Sequence, residues 1–568
     1  MNLAAIAHGV GLPFRQPVAR NRIKFRLLAA DGDLTACRIV LWKRSEPYPD
    51  SRRALPMSVR CRDGVKAEWT VEAAFPEEAR YVKYFFRLED AGGRVLYFCE
   101  HGFSEAEPES GFFEVLQAFE CDLPQAPDWS RGAVYYQIFP ERFAVGNPSK
   151  SLHDYARWDA QPTRENFLGG DLEGIRQKLP YLASLGAECL YLTPVFAADF
   201  NHKYAARDYF QVDPDFGTNG ELATLVLEAH ARGIRVLLDG VFNHCGVHFA
   251  PFQDLMKNGE ASPFRDWFYV KRWPIEVNPA CYECVGDYPY MPRLRTPNPG
   301  VREFILKVML YWLDEAKIDG WRLDVADEID VSTLRYLREG VKARHPEALL
   351  LGETWGDAGR LISEGGALDA AMNYLFRDAM VDYFAKGAID EAQLDGRLQR
   401  MLMKYPDDVN LRMYNCLGSH DTARFLTESG GEAWRLKLAV AFQMLFPGSP
   451  AVYYGDEIGM AGANDPLCRA GMAWGREDEG LLDWTKRWIS LRKRSRAVRL
   501  GSYKTLLADP ERGLFAFERV YEGERLAAAF NRGGAAQTLD FAGTAGTASV
   551  PPRSVKIILN EEGIPCVP

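Results

Sequence analysis

The chain divides into three stretches by its pattern of hydrophobic and polar positions. From about residue 20 to 120, the short apolar segments IKFRLLA, RIVLW, YVKYFFRL, VLYFC and GFFEV alternate with turn residues, as in a β-sandwich. After PQAPDW at 124–129, short apolar strands alternate with amphipathic helical stretches. Beyond Arg499 the β pattern returns in LFAFERV, ERLAAAF and SVKIIL, which predicts a small terminal β-sandwich.

The middle stretch contains eight strand candidates, most of them separated by a helix-length segment. They are VYYQIF at Val134, ECLYL at Glu188, IRVLLD at Ile234, GWRLD at Gly320, LLLGE at Leu349, AAMNY at Ala370, RMYNCLGSHD at Arg412 and PAVYYG at Pro450. Eight strands with intervening helices predict an α/β fold of the (β/α)8 TIM-barrel type. A doubly wound parallel sheet would give a similar string, so periodicity alone leaves both open.

The predicted domain boundaries follow from these changes of pattern. We expect an N-terminal β-sandwich at 1–125, a catalytic (β/α)8 barrel at 126–500, an inserted subdomain at about 245–300 after strand 3, and a C-terminal β-sandwich at 501–568. The inserted segment is rich in Pro, Trp and Tyr. A long loop at the carboxyl end of a barrel strand usually helps to form a substrate cleft.

Charge and composition narrow the class of partner. The 568 residues carry a formal net charge of −10, which disfavours binding to a nucleic-acid backbone. The apolar run from Leu438 to Gly455 contains Pro447 and Pro450, so we expect a buried helix and strand rather than a membrane span. The start lacks the basic region of a signal peptide, and the 11 cysteines show no disulfide spacing, so a cytoplasmic protein is expected.

Ionisable side chains cluster where four predicted strands end. They are Asp239 with Asn243 and His244, Arg322 with Asp324, Glu353 with Trp355, and His420 with Asp421. Each acid alone is more simply explained as the N-cap of the next helix than as a functional residue. A barrel, however, brings the carboxyl ends of all its strands to one rim, so these side chains would meet in one pocket.

Such a set suits two chemistries. A metal-dependent hydrolase could use Asp239, His244 and Asp421, whereas a glycosidase needs one ionised and one protonated carboxyl group. Arg322 lies two residues before Asp324 and therefore on the same strand face, where its charge would favour an ionised Asp324. Glu353 on the next strand would then be the group that holds a proton.

These motifs resemble the α-amylase family, glycoside hydrolase family 13. The matching blocks occur in order: FLGGDLEGI, HKY, FGT, DGVFNH, GWRLDVADE, GETW, MNY, GSHD, YYGDEIGM and NDPLCR. MPRLRT at 291–296 resembles a block of the neopullulanase, cyclomaltodextrinase and maltogenic amylase subfamily, which also carries an amino-terminal β domain. Ten blocks in order make the resemblance specific.

The resemblance implies a role for each residue that matches a block. It makes Asp324 the nucleophile, Glu353 the general acid/base and Asp421 the residue that stabilises the transition state. The residues that it assigns to the sugar are Tyr204, His244, Arg322, His420, Asp465 and Arg469, with Trp355 as a platform on the acceptor side. The implied mechanism is double displacement with retention, for which carboxyl groups about 5–5.5 Å apart are expected.

The resemblance also raises the question of calcium. The subfamily often binds Ca²⁺ near the first barrel strand, but the corresponding loop here reads AVGNPSKSLHD. Val145, Lys150 and Ser151 stand where oxygen ligands are expected, and Asn147 and Asp171 remain. Because Ca²⁺ takes six to eight oxygens, we expect this site to be empty or weak and no cofactor to be needed.

The activity implied is hydrolysis of α-1,4 bonds, and of α-1,6 bonds as a further option, in cyclodextrins, pullulan and short maltodextrins, with transglycosylation possible in principle. The alternatives are an α-amylase, an oligo-1,6-glucosidase or a non-catalytic glycan-binding relative. Ala205, Ala206, Asp327, Glu328 and Gly356 depart from the family pattern near the acceptor side, which leaves the α-1,6 activity open. The expected partners are an oligosaccharide substrate and a second copy of the chain, because the subfamily commonly dimerises through its amino-terminal domain.

Overall fold

A computed structural model of the chain describes residues 1–47, 50–119, 123, 125–150, 152–363, 366–540 and 547–559. By contacts, the chain forms two compact units. One consists of Met1–Gln125 together with Glu391–Asn410, and the other of Ala126–Asp390 with Leu411–Pro568. Ser151, considered above, lies outside the described residues. The predicted domain boundaries stay predictions.

The first unit contains two antiparallel sheets. One runs in the order Arg15–Ala19, Arg22–Ala30, Lys66–Ala74 and Ser58–Arg62; the other comprises Arg53–Pro56, Leu34–Lys43, Arg80–Asp90, Val95–Cys99, Gly102–Ser104 and Phe113–Gln117. Alternate residues of the long strands point into a shared core, for example Ile23, Phe25 and Leu27 against Val82, Tyr84 and Phe86.

The helices Glu391–Lys404 and Asp407–Asn410 complete this unit through a charged cluster. The Asp407 carboxylate pairs with Lys24 and Arg60. Arg60 Nη2 also lies 2.6 Å from Glu68 Oε2, and Arg26 Nε lies 2.8 Å from Glu68 Oε1. The Glu68 side chain is 2% exposed, so the acid is buried together with the two arginines that pair with it.

The second unit is built on an eight-stranded parallel sheet. Its strands are Tyr135–Ile138, Cys189–Leu192, Arg235–Gly240, Gly320–Leu323, Leu349–Gly352, Ala370–Ala371, Tyr414–Cys416 and Ser449–Tyr453. In that numbering the sheet order is 6-5-4-3-2-1-8-7, and a single parallel bridge from Met372 to Tyr414 joins strands 6 and 7. The sheet therefore closes into a barrel, and the predicted fold class is confirmed.

Helices lie between the barrel strands as the sequence pattern predicts. They are Pro140–Phe143, Leu172–Gln177, Leu179–Leu185, Asn219–His230, Ala250–Asn258, Pro299–Glu315, Val331–Arg344, Tyr374–Met380, Phe425–Glu428, Ala433–Leu445, Glu479–Arg494 and Arg496–Leu500. Helix Pro299–Glu315 buries Ile305, Val308, Met309 and Trp312, which recur at helical spacing along one face.

The chain after the barrel forms antiparallel strands that pack on a barrel helix. The strands are Ser502–Asp509, Leu514–Tyr521, Glu524–Asn531, Gln537–Asp540, Thr547–Val550 and Ser554–Leu559. Phe442 of helix Ala433–Leu445 lies 5.3 Å from the ring of Phe517 and 5.1 Å from that of Phe530. Aromatic contacts of this kind fix the end domain against the barrel.

Candidate active site

Arg322 is the centre of the site. It lies on strand Gly320–Leu323, in parallel register with Asp239 on one neighbouring strand and Leu351 on the other. Its buried Nη1 donates to Asp239 Oδ1 and to Asp324 Oδ1, each at 2.7 Å. Its Nη2 lies 2.8 Å from Glu353 Oε2. One guanidinium thus joins three carboxylates from three adjacent strands.

The backbone just beyond Asp324 has an unusual conformation. Val325 has φ 43°, in the left-handed region that a β-branched residue rarely adopts. This turn directs the Val325 N–H at Glu353 Oε2, 2.9 Å away. Strain of this kind is typical of functional sites, because the surrounding structure must hold it. Here it fixes one oxygen of Glu353, and no described residue donates a hydrogen bond to the other.

A chain of hydrogen bonds connects strand 1 to Asp239 beneath the cleft. The Gln137 side-chain amide donates to His420 Nδ1 at 2.7 Å. His420 Nε2 then contacts the Tyr204 hydroxyl, and that hydroxyl donates to Asp239 Oδ2 at 2.9 Å. Because Nδ1 accepts, the proton of a neutral His420 lies on Nε2, towards the cleft. Tyr191 donates a further hydrogen bond to Asp239 at 2.6 Å.

Asp421 and Asp465 share a second arginine. Arg469 Nη2 donates to Asp421 Oδ1 at 3.2 Å, and Arg469 Nη1 lies 2.9 Å from Asp465 Oδ1. Arg469 Nε also donates to the carbonyl of His420 at 2.8 Å, which holds the guanidinium in place. The predicted residues from the seventh and eighth strand ends are therefore brought together.

His244 and Trp355 present open surfaces to the cleft. His244 Nδ1 contacts the side-chain oxygen Oδ1 of Asn243, and among the described residues the buried Nε2 of His244 has no hydrogen-bond partner. Burial lowers the pKa of His244 to about 3, so the neutral ring offers Nε2 as an acceptor. Trp355 lies flat on Tyr374, with centroids 4.0 Å apart, and is 52% exposed.

These residues surround a cleft of about 340 Å³. Its lining includes the predicted residues Tyr204, His244, Asp324, Glu353, Trp355, Asp421, Asp465 and Arg469. Arg322 and His420 lie beneath it and act through the residues that they contact. Sequence reasoning missed a further set of lining residues, namely Arg164, His202, Val285, Tyr288, Tyr290, Met291 and Val325.

Burial and the two arginines have opposite effects on the acids. Burial raises the pKa of Asp324, and Arg322 opposes that rise. Burial likewise raises the pKa of Asp421, against the charge of Arg469. Burial lowers the pKa of His420, and the charges of Arg469 and Arg322 lower it further. The site therefore combines neutral histidines with closely spaced carboxyl groups that share few cations, so it can hold a proton on a carboxyl group.

The comparison with known proteins agrees with this geometry. Residues 137–504 match the family described as alpha amylase, catalytic domain, and residues 1–119 match the alpha amylase N-terminal ig-like domain. The chain belongs to the α-amylase family. It is therefore a glycoside hydrolase, and the resemblance seen in its motifs is confirmed.

Individual relatives are similar along almost the whole chain. Neopullulanase 2 of Thermoactinomyces vulgaris is 39% identical over 545 residues, covering 95% of this chain and 92% of the relative. A cyclomaltodextrinase of Geobacillus thermopakistaniensis is 44% identical over 487 residues, with coverages of 84% and 82%. A solved cyclomaltodextrinase superposes with a TM-score of 0.92 at 36% identity, covering 98% of this chain and 99% of the other.

The calcium ions often bound in this subfamily do not fit the corresponding site here. Lys150 Nζ lies 3.0 Å from Asp171 Oδ2, 2.8 Å from the Asp215 carbonyl oxygen and 3.4 Å from that of Gly170. The ammonium thus contacts the oxygens that a cation would need. Asn147 Oδ1 accepts instead from the Ser149 N–H, 3.1 Å away within its own loop.

A metal-dependent reaction at the strand ends is not favoured by the donor set. Asp239 does not line the cleft, because its oxygens are taken by Arg322, Tyr191 and Tyr204. Among the described residues, no three His, Cys, Asp or Glu side chains form a group that could hold a metal ion.

The helices in the described part of the chain include none with the length and apolar character that a membrane span requires.

Proposed function

We propose that the protein hydrolyses α-1,4-glucosidic bonds in cyclodextrins, pullulan and short maltodextrins with retention of configuration. The observation that carries this proposal is the contact of one buried guanidinium with both Asp324 and Glu353, two acids that line a cleft together with aromatic rings. Similarity to proteins named neopullulanase and cyclomaltodextrinase supports the substrate class.

In the proposed reaction, Asp324 attacks the anomeric carbon and forms a glycosyl-enzyme intermediate. Its Oδ1 accepts a hydrogen bond from Arg322 at 2.7 Å, and this contact favours the ionised form that a nucleophile requires. The second oxygen remains available for attack. Water then hydrolyses the ester, and two inversions at the same carbon restore the α configuration.

Glu353 is proposed as the general acid and then the general base. Its Oε2 is fixed by the Val325 N–H and Arg322, which leaves Oε1 free to protonate the leaving oxygen. The protonated carboxyl group donates that proton as the bond breaks and later removes a proton from the attacking water. We expect the Asp324 and Glu353 carboxyl groups to be about 5–5.5 Å apart, as retention requires.

The remaining residues are proposed to hold the sugar. His244 Nε2 accepts from a sugar hydroxyl, and Asp421 stabilises the positive charge that develops on the ring. His420 acts from beneath the cleft, where its Nε2–H donates to the Tyr204 hydroxyl and orients that ring. Tyr204 stacks on the sugar at the cleaved bond. Asp465 and Arg469 bind the next glucosyl residue on the donor side, and the exposed ring of Trp355 is the platform on the acceptor side.

A substrate panel tests the proposal. The wild-type protein is given β-cyclodextrin, pullulan and soluble starch at equal mass, and NMR identifies the anomer first released. We expect activity on β-cyclodextrin to exceed that on starch, with the α anomer as first product. Asp324→Asn and Glu353→Gln should each lower kcat by about 10³-fold or more, while Asp483→Asn, at an exposed position of helix Glu479–Arg494, retains activity.

The products also separate the alternatives. Panose from pullulan indicates neopullulanase activity, maltotriose indicates cleavage of α-1,6 bonds, and no cleavage indicates a narrower maltodextrin enzyme. An Asp324→Asn variant with one tenth of the wild-type turnover would refute the assignment of the nucleophile. Carbohydrate binding without turnover by the wild type would favour a non-catalytic relative.

We further propose that the protein works in the cytoplasm as a homodimer without calcium. A relative named intracellular maltogenic amylase from Bacillus subtilis, 36% identical over 527 residues, supports the compartment. The nine cysteines among the described residues are all free thiols, as in reducing surroundings. Light scattering of the full chain tests the dimer, and a monomeric mass at all concentrations would contradict it.

A further inference from the structure

One wall of the cleft is formed by a side chain that reaches across it. Arg164 Nη2 lies 3.3 Å from Asp465 Oδ2, on the segment that also carries Arg469. Tyr288, which also lines the cleft, lies near enough to Arg164 that it and Asp465 together raise the pKa of the arginine. A single guanidinium thus connects the segment after strand 8 with the segment inserted after strand 3.

The backbone on each side of this bridge is well anchored. Thr163 and Asn166 form mutual side-chain-to-backbone hydrogen bonds at 2.9 and 3.0 Å around Arg164. Tyr290 packs on Tyr288 with centroids 5.6 Å apart and on Phe200 at 4.5 Å. The tight turn and the aromatic wall therefore hold the bridge from both ends.

The bridge itself is exposed and can open. The Arg164 side chain is 54% exposed and that of Asp465 is 27% exposed. Ion pairs at such positions are weak, because water screens the charges and an ordered side chain loses entropy. The contact can therefore yield to a substrate, but a substrate that displaces it loses part of its binding free energy.

We propose that Arg164 determines how far a glucan chain extends along the donor side of the cleft. This inference rests on the proposed function. There, Asp465 and Arg469 bind the second glucosyl residue on the donor side, counted from the cleaved bond. A chain that ends there leaves the bridge intact. A chain that continues past Asp465 must separate Arg164 from Asp465 and Tyr288. The bridge thus disfavours any substrate with more than two glucosyl residues on the donor side, whether polymeric or cyclic, relative to short linear chains.

Kinetics on substrates of two lengths test the bridge. Maltotriose, cleaved to maltose and glucose, ends at the glucosyl residue bound by Asp465, whereas soluble starch continues beyond it. We expect Arg164→Ala to raise kcat/KM for starch about three- to tenfold, the range that loss of two weak exposed contacts gives. For maltotriose, kcat/KM should change less than about twofold. Maltohexaose should also release maltotriose in addition to maltose.

Two further variants distinguish the bridge from a general effect on the loop. Tyr288→Phe removes the hydroxyl and keeps the ring, so the starch rate should also rise, and the double variant should resemble Arg164→Ala alone. Arg157→Ala is the control, because Arg157 is 85% exposed and pairs with Asp159 outside the cleft. Melting temperatures of all variants should stay close to the wild type.

Each remaining outcome overturns a different statement. If the wild type hydrolyses both substrates and Arg164→Ala leaves the ratio of their kcat/KM values unchanged, the bridge does not limit chain length. If Arg164→Ala lowers both rates equally, Arg164 binds sugar directly and the inference is wrong. If the wild type hydrolyses neither substrate, it is the proposed function that fails.

Discussion

Replacement of Lys150 by methionine should destabilise the loop between strand 1 and helix Leu172–Gln177. The Lys150 side chain is 10% exposed and that of its partner Asp171 is 4% exposed, so the variant leaves a buried carboxylate without its cation. Breaking such a pair typically costs about 3–5 kcal/mol of unfolding free energy.

The magnitude should fall at the lower end of that range. Asp171 keeps three backbone donors, the N–H groups of Gly146 at 2.8 Å, Asn147 at 3.0 Å and Gly174 at 2.7 Å. These bonds stabilise the anion when the ammonium is gone, so we expect a loss of about 3 kcal/mol. In a chain of this size that corresponds to a fall in Tm of about 2–3 °C.

The assay is thermal unfolding by circular dichroism, with and without Ca²⁺ and chelator. Wild-type Tm should not respond to chelator, because Lys150 already supplies the positive charge. The Tm of Lys150→Asp should rise when Ca²⁺ is added, because a ligand at 100 times its Kd raises the unfolding free energy by about 2.7 kcal/mol. Lys257→Met, at an exposed position of helix Ala250–Asn258, is the control. The reasoning is refuted if chelator lowers the wild-type Tm by several degrees or if Lys150→Met melts with the wild type.

Three further predictions concern single side chains. Trp355→Ala should lower transfer to added sugar acceptors about five- to tenfold, by product analysis, because an exposed platform worth about 1 kcal/mol or more is lost. Gln137→Met should lower kcat on β-cyclodextrin about tenfold with a smaller change in KM, because His420 loses the donor that fixes its orientation. Burial lowers the pKa of His8 to about 4, so the unfolded chain binds the extra proton and stability should fall as pH drops from about 6.5 to 4. His8→Gln should make this fall shallower in acid titrations followed by fluorescence, and His101→Gln, at an exposed histidine, should not.

The sequence predicted the barrel strands well where strands are short, apolar and followed by an acid. GWRLD illustrates this, since the strand is Gly320–Leu323 and Asp324 follows directly. RMYNCLGSHD was predicted as one strand, but only Tyr414–Cys416 is extended. The residues beyond Cys416 turn, because the Ser419 N–H binds Thr422 Oγ1 at 3.0 Å and the Asp421 N–H binds Ser419 Oγ at 3.2 Å.

The residues that sequence reasoning missed are of two kinds. Gln137 could have been predicted from the sequence, because a lone amide inside the apolar strand Tyr135–Ile138 needs a hydrogen-bond partner when it is buried. Arg164 and Tyr288 could not have been predicted in this way. They lie on loops, and the spacing of polar residues in a loop does not indicate which other loop it meets. Predicting their contact requires the closed barrel, which sets the positions of the segments after strands 1, 3 and 8.

The contact of Asp407 with Lys24 and Arg60 has a practical consequence for fragments of this protein. A chain cut at Gln125 separates Asp407 and the helix before it from the two cations that hold the pKa of this carboxyl group low. The shortened catalytic fragment would keep a carboxylate without either cation, and the isolated amino-terminal fragment would keep two basic groups without that acid. Neither piece is a self-contained module. Domain exchange among relatives should therefore transfer residues 391–410 together with residues 1–125, as one cassette in two segments.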